Sequence, residues 1–370
     1  MKTHTSYVGQ KVRALKFLKG AKGAACLEGD ECAVPLLVAG GYDSNDNSIS
    51  LLFPQMPTLD QMELAEEFEA ESTTEIVELS SLAHAGDVTS LGFLSVNNAD
   101  FVVSGSSNGS LYCSSIVKSD ASLALQSVAI PQWENVAAGS LTGIDADMQS
   151  ASIVAASESG QVVWANLDRV HDVRVLDIDG WAVNDVKMLG VDSHIVLACA
   201  NPTRTLQLWD LKASERTPAS TCADSTGAFT CLATHPTRPE LLLTGSSEGY
   251  VSIWDRRMLA NGALRTERKH RKAVRSLKCH DTSPGFIYSC GDDNVVLGWD
   301  FYATKKAGEK VDYERHTRVG SSDVLVARTV DQGILPWNAL DVDGVSNTLV
   351  AGSDNHSILL CEDVSVVESP

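Results

Sequence analysis

Residues 248–257 read EGYVSIWDRR: a turn, an alternating run, and a tryptophan followed directly by an aspartate. In a strand, Val251 and Ile253 fall on one face and Ser252 and Trp254 on the other. The Trp-Asp pair recurs, in LQLWD ending at Asp210, VSIWD at Asp255 and VLGWD at Asp300. The tryptophans Trp209, Trp254 and Trp299 are spaced 45 residues apart, and Trp164 in QVVWAN lies another 45 upstream. A large apolar side chain repeated at a fixed period argues for scaffolding rather than for a catalytic pair.

A period of about 40–45 residues closed by Trp-Asp on a strand is the signature of a propeller blade of four antiparallel strands. At these residues the chain resembles the WD40 family, which implies an all-β, closed β-propeller. The best-preserved unit runs from His270 to Asp300, HRKAVRSLKCHDTSPGFIYSCGDDNVVLGWD. The resemblance implies that His270, Ser289, Asp293 and Trp299 form a structural hydrogen-bonded tetrad. The physical need is a partner for the buried indole N–H, whose loss costs about 1–3 kcal/mol. Other periods keep fewer members. Thr244 and Glu248 accompany Trp254; His84, Ser104 and Asn108 stand where Ser114 replaces the tryptophan; Glu158 and Thr203 take the turn positions near Trp164 and Trp209.

Walking this ruler along the chain predicts about seven blades. Their inner strands fall near Val12–Phe17, Val88–Phe93, Leu141–Asp145, Val183–Met188, Phe229–His235, Val274–Cys279 and Asn338–Val342. Ser6–Gln10 is expected to complete the last blade and leave no open sheet edge. The expected organisation is one WD40 propeller domain over residues 1–370, with insertions at about 55–74 and 303–322. The first insertion, between blades 1 and 2, carries the acidic run Asp60–Glu71, a solvated loop or a docking element; TKKAGEKVDYERHTR lies in the second.

The formal net charge of −19 disfavours sequence-independent contact with a phosphate backbone. The nine cysteines are never closer than six positions, so no Cys-x-x-Cys metal or redox spacing exists. The first residues lack a signal peptide's apolar run, and no stretch approaches the roughly 18 apolar residues of a membrane helix. A reducing compartment is expected, with the sequons at Asn108 and Asn355 idle.

Two stretches imitate a hydrolase elbow, Gly105-Ser-Ser-Asn-Gly109 and Gly245-Ser-Ser-Glu-Gly249. An elbow needs a helix after it, whereas a strand follows each, so Ser107 and Ser247 are read as turn residues and the glycines as serving tight turns. Asp43–Asn47 imitates a calcium loop without its Gly and closing Glu. Arg265, Arg268, Lys269, Arg271, Lys272, Arg275 and Lys278 are concentrated around the start of the sixth blade. They are either alternating exposed positions or a partner-binding patch. No catalytic set, metal set or cofactor loop is expected.

Across nearly its whole length the chain also resembles the small, forty-three-kilodalton type of WD40 nucleoporin found in the Y-shaped scaffold complex of the nuclear pore. The phrases that carry this are GGYDSNDNSISLL, AHAGDVTSLGF, TCLATHPTRPELLLTGSSEGYVSIWD and NALDVDGVSNTLVAGSDNHSILL. The resemblance implies a non-catalytic scaffold subunit at the nuclear envelope. It would bind helical scaffold nucleoporins and support mRNA and protein transport, with no cofactor, no small-molecule substrate, no direct nucleic acid and no membrane insertion. The alternative is a substrate receptor of a cullin-RING ubiquitin ligase. In that reading Trp254-Asp255-Arg256-Arg257 is the adaptor box and Arg257 its anchor.

Overall fold

Short runs of aliphatic and polar residues in alternation, ended by Gly, Asn and Asp turns, form strands throughout. The computed structural model describes residues 1–25, 34–55, 74–119, 122–178, 180–189, 194–199, 204–211, 217–223, 226–305 and 324–365. The first strand, β1 (Lys2–Tyr7), stands apart from the meander that follows it: β2 (Val12–Phe17), β3 (Leu37–Gly41), β4 (Ser48–Gln55) and β5 (Glu75–Ala83). The same unit repeats as β6 (Val88–Val96), β7 (Ala99–Ser106), β8 (Leu111–Lys118) and β9 (Leu123–Val128), then as β10 (Leu141–Asp147), β11 (Ser152–Ser157), β12 (Gln161–Asn166) and β13 (Arg174–Asp177). It continues through β14 (Val183–Met188), β15 (His194–Cys199), β16 (Thr205–Asp210) and β17 (Ser220–Ala223), and through β18 (Phe229–Thr234), β19 (Leu241–Ser246), β20 (Tyr250–Asp255) and β21 (Arg265–Arg268). Next come β22 (Val274–Cys279), β23 (Phe286–Gly291), β24 (Val295–Lys305) and β25 (Val324–Gln332). The last described strands are three, β26 (Trp337–Asp343), β27 (Thr348–Ser353) and β28 (Ser357–Glu362), and β1 supplies their fourth.

The described strands thus make seven four-stranded antiparallel sheets, and the fold is an all-β propeller. The first strand of each meander packs beside the first strand of the next, and β26 packs on β2, so the series closes. Apolar clusters sit between neighbouring sheets rather than at one centre. One joins Val12, Leu15 and Leu37 of the first meander to Val350, Ile358 and Leu360 of the last. Glycine makes this spacing possible: a Cβ on Gly352 would lie 2.4 Å from Val12, and one on Gly40 would lie 2.3 Å from Val88.

Each of the seven inner strands carries the same irregularity, a register shift that skips its second residue. The skipped residues are Arg13, Thr89, Thr142, Asn184, Thr230, Arg275 and Asn338, and all of them line one mouth of the central channel. A bulge turns its extra side chain out of the ladder. Here the freed side chain reaches the next sheet. Thr142 donates to the Val183 carbonyl (2.5 Å), Asn184 to Phe229 (2.5 Å), Thr230 to Val274 (2.5 Å) and Asn338 across the join to Val12 (3.1 Å).

The closing strand is Lys2–Tyr7 rather than Ser6–Gln10, with Lys2 opposite Glu362 and Tyr7 opposite Ser357. Its side chains are mostly exposed, so hydrophobic alternation does not mark it. Both expected insertions lie largely outside the described residues, which cover Thr74 but not 56–73, and Thr304 and Lys305 but not 306–323. Removing residues 1–10 should expose the β28 edge and lower the melting temperature by about 4–8 °C. That figure takes about 1 kcal/mol net per lost backbone bond over the melting entropy of a chain this size. Unchanged melting by calorimetry would remove β1 from the closure.

Candidate interaction surfaces and the buried polar chain

The sheet of β22–β25 brings His270, Ser289, Asp293 and Trp299 together. Trp299 Nε1–H donates to Ser289 Oγ (2.8 Å), and the hydroxyl stands 2.7 Å from His270 Nε2. His270 Nδ1 meets both Asp293 oxygens, at 2.9 and 3.1 Å, and the Arg271 amide donates to the same carboxylate (2.8 Å). The directions fix one circuit: indole N–H to hydroxyl, hydroxyl to Nε2, Nδ1–H to carboxylate. Burial pushes Asp293 up, but the hydrogen bonds from His270 and Arg271 outweigh it and hold the carboxyl below the usual range. His270, Ser289 and Trp299 are all at most 1% exposed, so the indole, hydroxyl and imidazole are closed to solvent.

Related positions keep parts of it. Trp254 donates to Thr244 (2.9 Å) and packs its edge on Phe229; Trp209 donates to Gln207 (2.9 Å); Arg174 stacks over Trp164 at 5.0 Å. His84 meets Ser104 at 3.1 Å and donates to the Gly86 carbonyl, whereas Asn108 turns to Tyr112 instead. The aspartate after Trp254 has its own task. Asp255 accepts the Arg257 amide (2.9 Å), capping the short turn Arg256–Asn261, and its two oxygens take the Arg257 guanidinium at 2.9 and 2.6 Å. That guanidinium holds the Asp255 carboxyl low, while the Arg257 side chain stays 67% exposed.

Ser107 and Ser247 accept backbone amides from Asp87 (2.9 Å) and Ala228 (3.2 Å), and a strand follows each phrase. Of their glycines, Gly109 and Gly249 sit in turns at φ +80° and +86°. Gly105 and Gly245 lie within strands, where a Cβ would press on the neighbouring sheet. They therefore serve close packing, not the turn. Asp43–Asn47 is a bend held by Asn47 donating to Ser44 O and Asp87. No group of three or more His, Cys, Asp or Glu side chains suited to a metal occurs among the described residues.

The basic run does not form one patch. Arg265 pairs with Glu267 and Arg268 lies over Tyr250, both on the outer strand β21; Lys269 and Arg271 are exposed beside His270. Lys272 and Arg275 face the bulge-lined mouth, where Arg275 binds Asp292 at 2.6 Å. Lys278, three residues on along the same inner strand, faces the opposite end of the channel. Sequence proximity concealed this, because an inner strand runs the length of the channel.

At that opposite end lies a network that motif reasoning missed. Asp341 accepts the Phe17 amide (2.9 Å) across the join and stands 3.5 Å from Lys278 and 3.9 Å from Lys19. Asp145 accepts the Met188 amide (2.9 Å), and Asp185 the Leu232 amide (2.8 Å), each from the next sheet along. These carboxylates therefore tie neighbouring sheets together, as the bulge residues do at the other mouth.

The residues 216–255 and 262–300 match the WD40 family, described as "WD domain, G-beta repeat". Three nucleoporins are similar over parts of the chain. The nuclear pore complex protein nup43 of Dictyostelium discoideum is 25% identical over 124 residues, 34% of this chain and 29% of that protein. Nucleoporin Nup43 of Mus musculus is 24% identical over 184 residues (49% and 46%), and that of Homo sapiens 24% over 152 residues (40% and 39%). The chain thus spans less than half the length of each of these relatives, and it is Nup43-like with WD40 repeats.

Ser289→Ala should strand both the Trp299 N–H and His270 Nε2 and cost about 2–4 kcal/mol in urea unfolding, against under about 1 for Ser107→Ala. Equal losses would contradict the circuit. Burial pushes Asp341 up, but Lys19, Lys278 and Lys16 and the Phe17 amide overcome it and hold the carboxyl at about 2. Its folded value is depressed, so its contribution is full above about pH 4 and is lost as pH falls toward 2. Asp341→Asn should lower the melting temperature at pH 6 and flatten its decline between about pH 4 and pH 3. Parallel melting curves would refute the assignment.

Proposed function

We propose that this chain is a non-catalytic scaffold subunit of the nuclear pore, working in the Y-shaped outer-ring subcomplex at the nuclear envelope. In this reading it binds helical scaffold nucleoporins and thereby supports mRNA and protein transport. The seven sheets are the seven blades of one domain over residues 1–370, with the acidic run Asp60–Glu71 falling between the first two in sequence. The observation that carries the reading is the similarity of parts of the chain to Nup43 proteins from three species. A second supports it: the conspicuous polar side chains bond to one another or to the backbone and maintain the fold. The acidic surface expected from a net charge of −19 argues for protein rather than nucleic-acid partners.

The ligase-receptor alternative draws on one feature, the exposed Arg257 held rigid by Asp255. Imaging separates the two. A fluorescently tagged chain at native expression should trace the nuclear rim, and Arg257→Ala should leave that rim intact. A diffuse signal for the unmodified chain, with a cullin adaptor lost from Arg257→Ala immunoprecipitates, would replace the pore reading by the ligase reading.

A further inference from the structure

The channel end away from the bulge residues opens into a cavity of about 290 Å³ that receives four lysines, Lys16, Lys19, Lys187 and Lys278. Three of them are matched to carboxylates. Lys19 stands 2.6 Å from Asp281, Lys187 is 3.7 Å from Asp185 and 3.9 Å from Asp145, and Lys278 is 3.5 Å from Asp341. The Lys16 side chain has no ion pair or hydrogen bond among the described residues. The carboxylates that might have served it are already engaged by backbone amides and by the other three lysines.

The four matched and unmatched cations respond differently to the same surroundings. Burial pushes Lys187 down, but Asp185 and Asp145 more than restore it. For Lys16, burial comes first and the Lys278 charge adds to it, together with that of Lys187; Asp145 and Asp341 only partly offset them, and the ammonium is pushed down to about 8. A useful fraction of Lys16 is therefore the free amine near neutrality, and the amine rather than the ammonium is the nucleophile. The ammonium groups of Lys187 and Lys278 line the same cavity, where they would stabilise the negative charge of an oxyanion forming beside Lys16.

We propose that Lys16 is an acyl-acceptor site, modified by thioester acyl donors without a separate enzyme. The Nζ lone pair attacks the thioester carbonyl; the C–N bond forms, the C–S bond breaks, and the thiolate leaves and takes up the proton that the amine loses. The product is a neutral amide. The site that disfavours a charge on Lys16 accepts an amide without that cost, so the modification is retained in the folded protein. This inference stands apart from the nuclear-pore reading and needs no partner protein.

The test is incubation of the intact chain with acetyl coenzyme A at about pH 7.5, with site occupancy followed by peptide mass spectrometry. Lys16 should acetylate about tenfold or more faster than the exposed Lys269 and Lys272, with a rate that levels off above about pH 8. In concentrated urea the advantage should vanish, since it belongs to the fold. Lys16→Arg should remove the fast phase. Parity with Lys269 and Lys272, an advantage that persists in urea, or a fast phase that survives Lys16→Arg would each overturn the proposal.

Discussion

The protein depends on one antiparallel pairing between residues almost a full chain apart, Lys2–Tyr7 against Ser357–Glu362. A contact of that sequence separation carries a large loop-closure entropy, so it forms only when the intervening sheets are already stacked. Once made, it covers the free edge of β28 and joins the last apolar interface to the first. Two polar bonds reinforce the same join from either end of the channel: Asn338 to the Val12 carbonyl, and the Phe17 amide to Asp341.

That constraint explains where the polar residues went. A closed series of twisted sheets leaves backbone groups facing a narrow channel, and each needs a partner. Threonine and asparagine at the bulges answer the carbonyls of one mouth, and aspartates answer the amides toward the other. The lysines then balance the aspartates, which is why an acidic protein carries a mixed-charge channel. The Trp–Ser–His–Asp circuit solves the same problem for a buried indole, so chemistry-bearing side chains in this fold act mainly as fasteners.

Much of this was legible in the sequence. The even spacing of Trp164, Trp209, Trp254 and Trp299 revealed the unit, and the same ruler placed the inner strands Val12–Phe17, Val183–Met188 and Val274–Cys279, which end where the structure ends them. The circuit residues could be placed because they lie within one unit. What escaped notice lies between units. Lys16, Asp145, Lys187, Lys278 and Asp341 stand on separate strands and converge only in the closed channel. In the basic run around Lys272 the converse holds, since neighbours in sequence face opposite channel ends. The closing strand was displaced because an exposed edge strand carries no apolar period, and Gly245 was read as a turn residue although it packs against Val274.

The proposed role of this closed propeller with Nup43-like sequence is that of a surface on which other proteins assemble. Affinity purification of the tagged chain from a native lysate at moderate salt, with mass spectrometry of the co-eluting proteins, tests this most directly. The account predicts scaffold nucleoporins in near-equal amounts with the chain. Recovery of a cullin and its adaptor without nucleoporins, or of no stoichiometric partner, would contradict it.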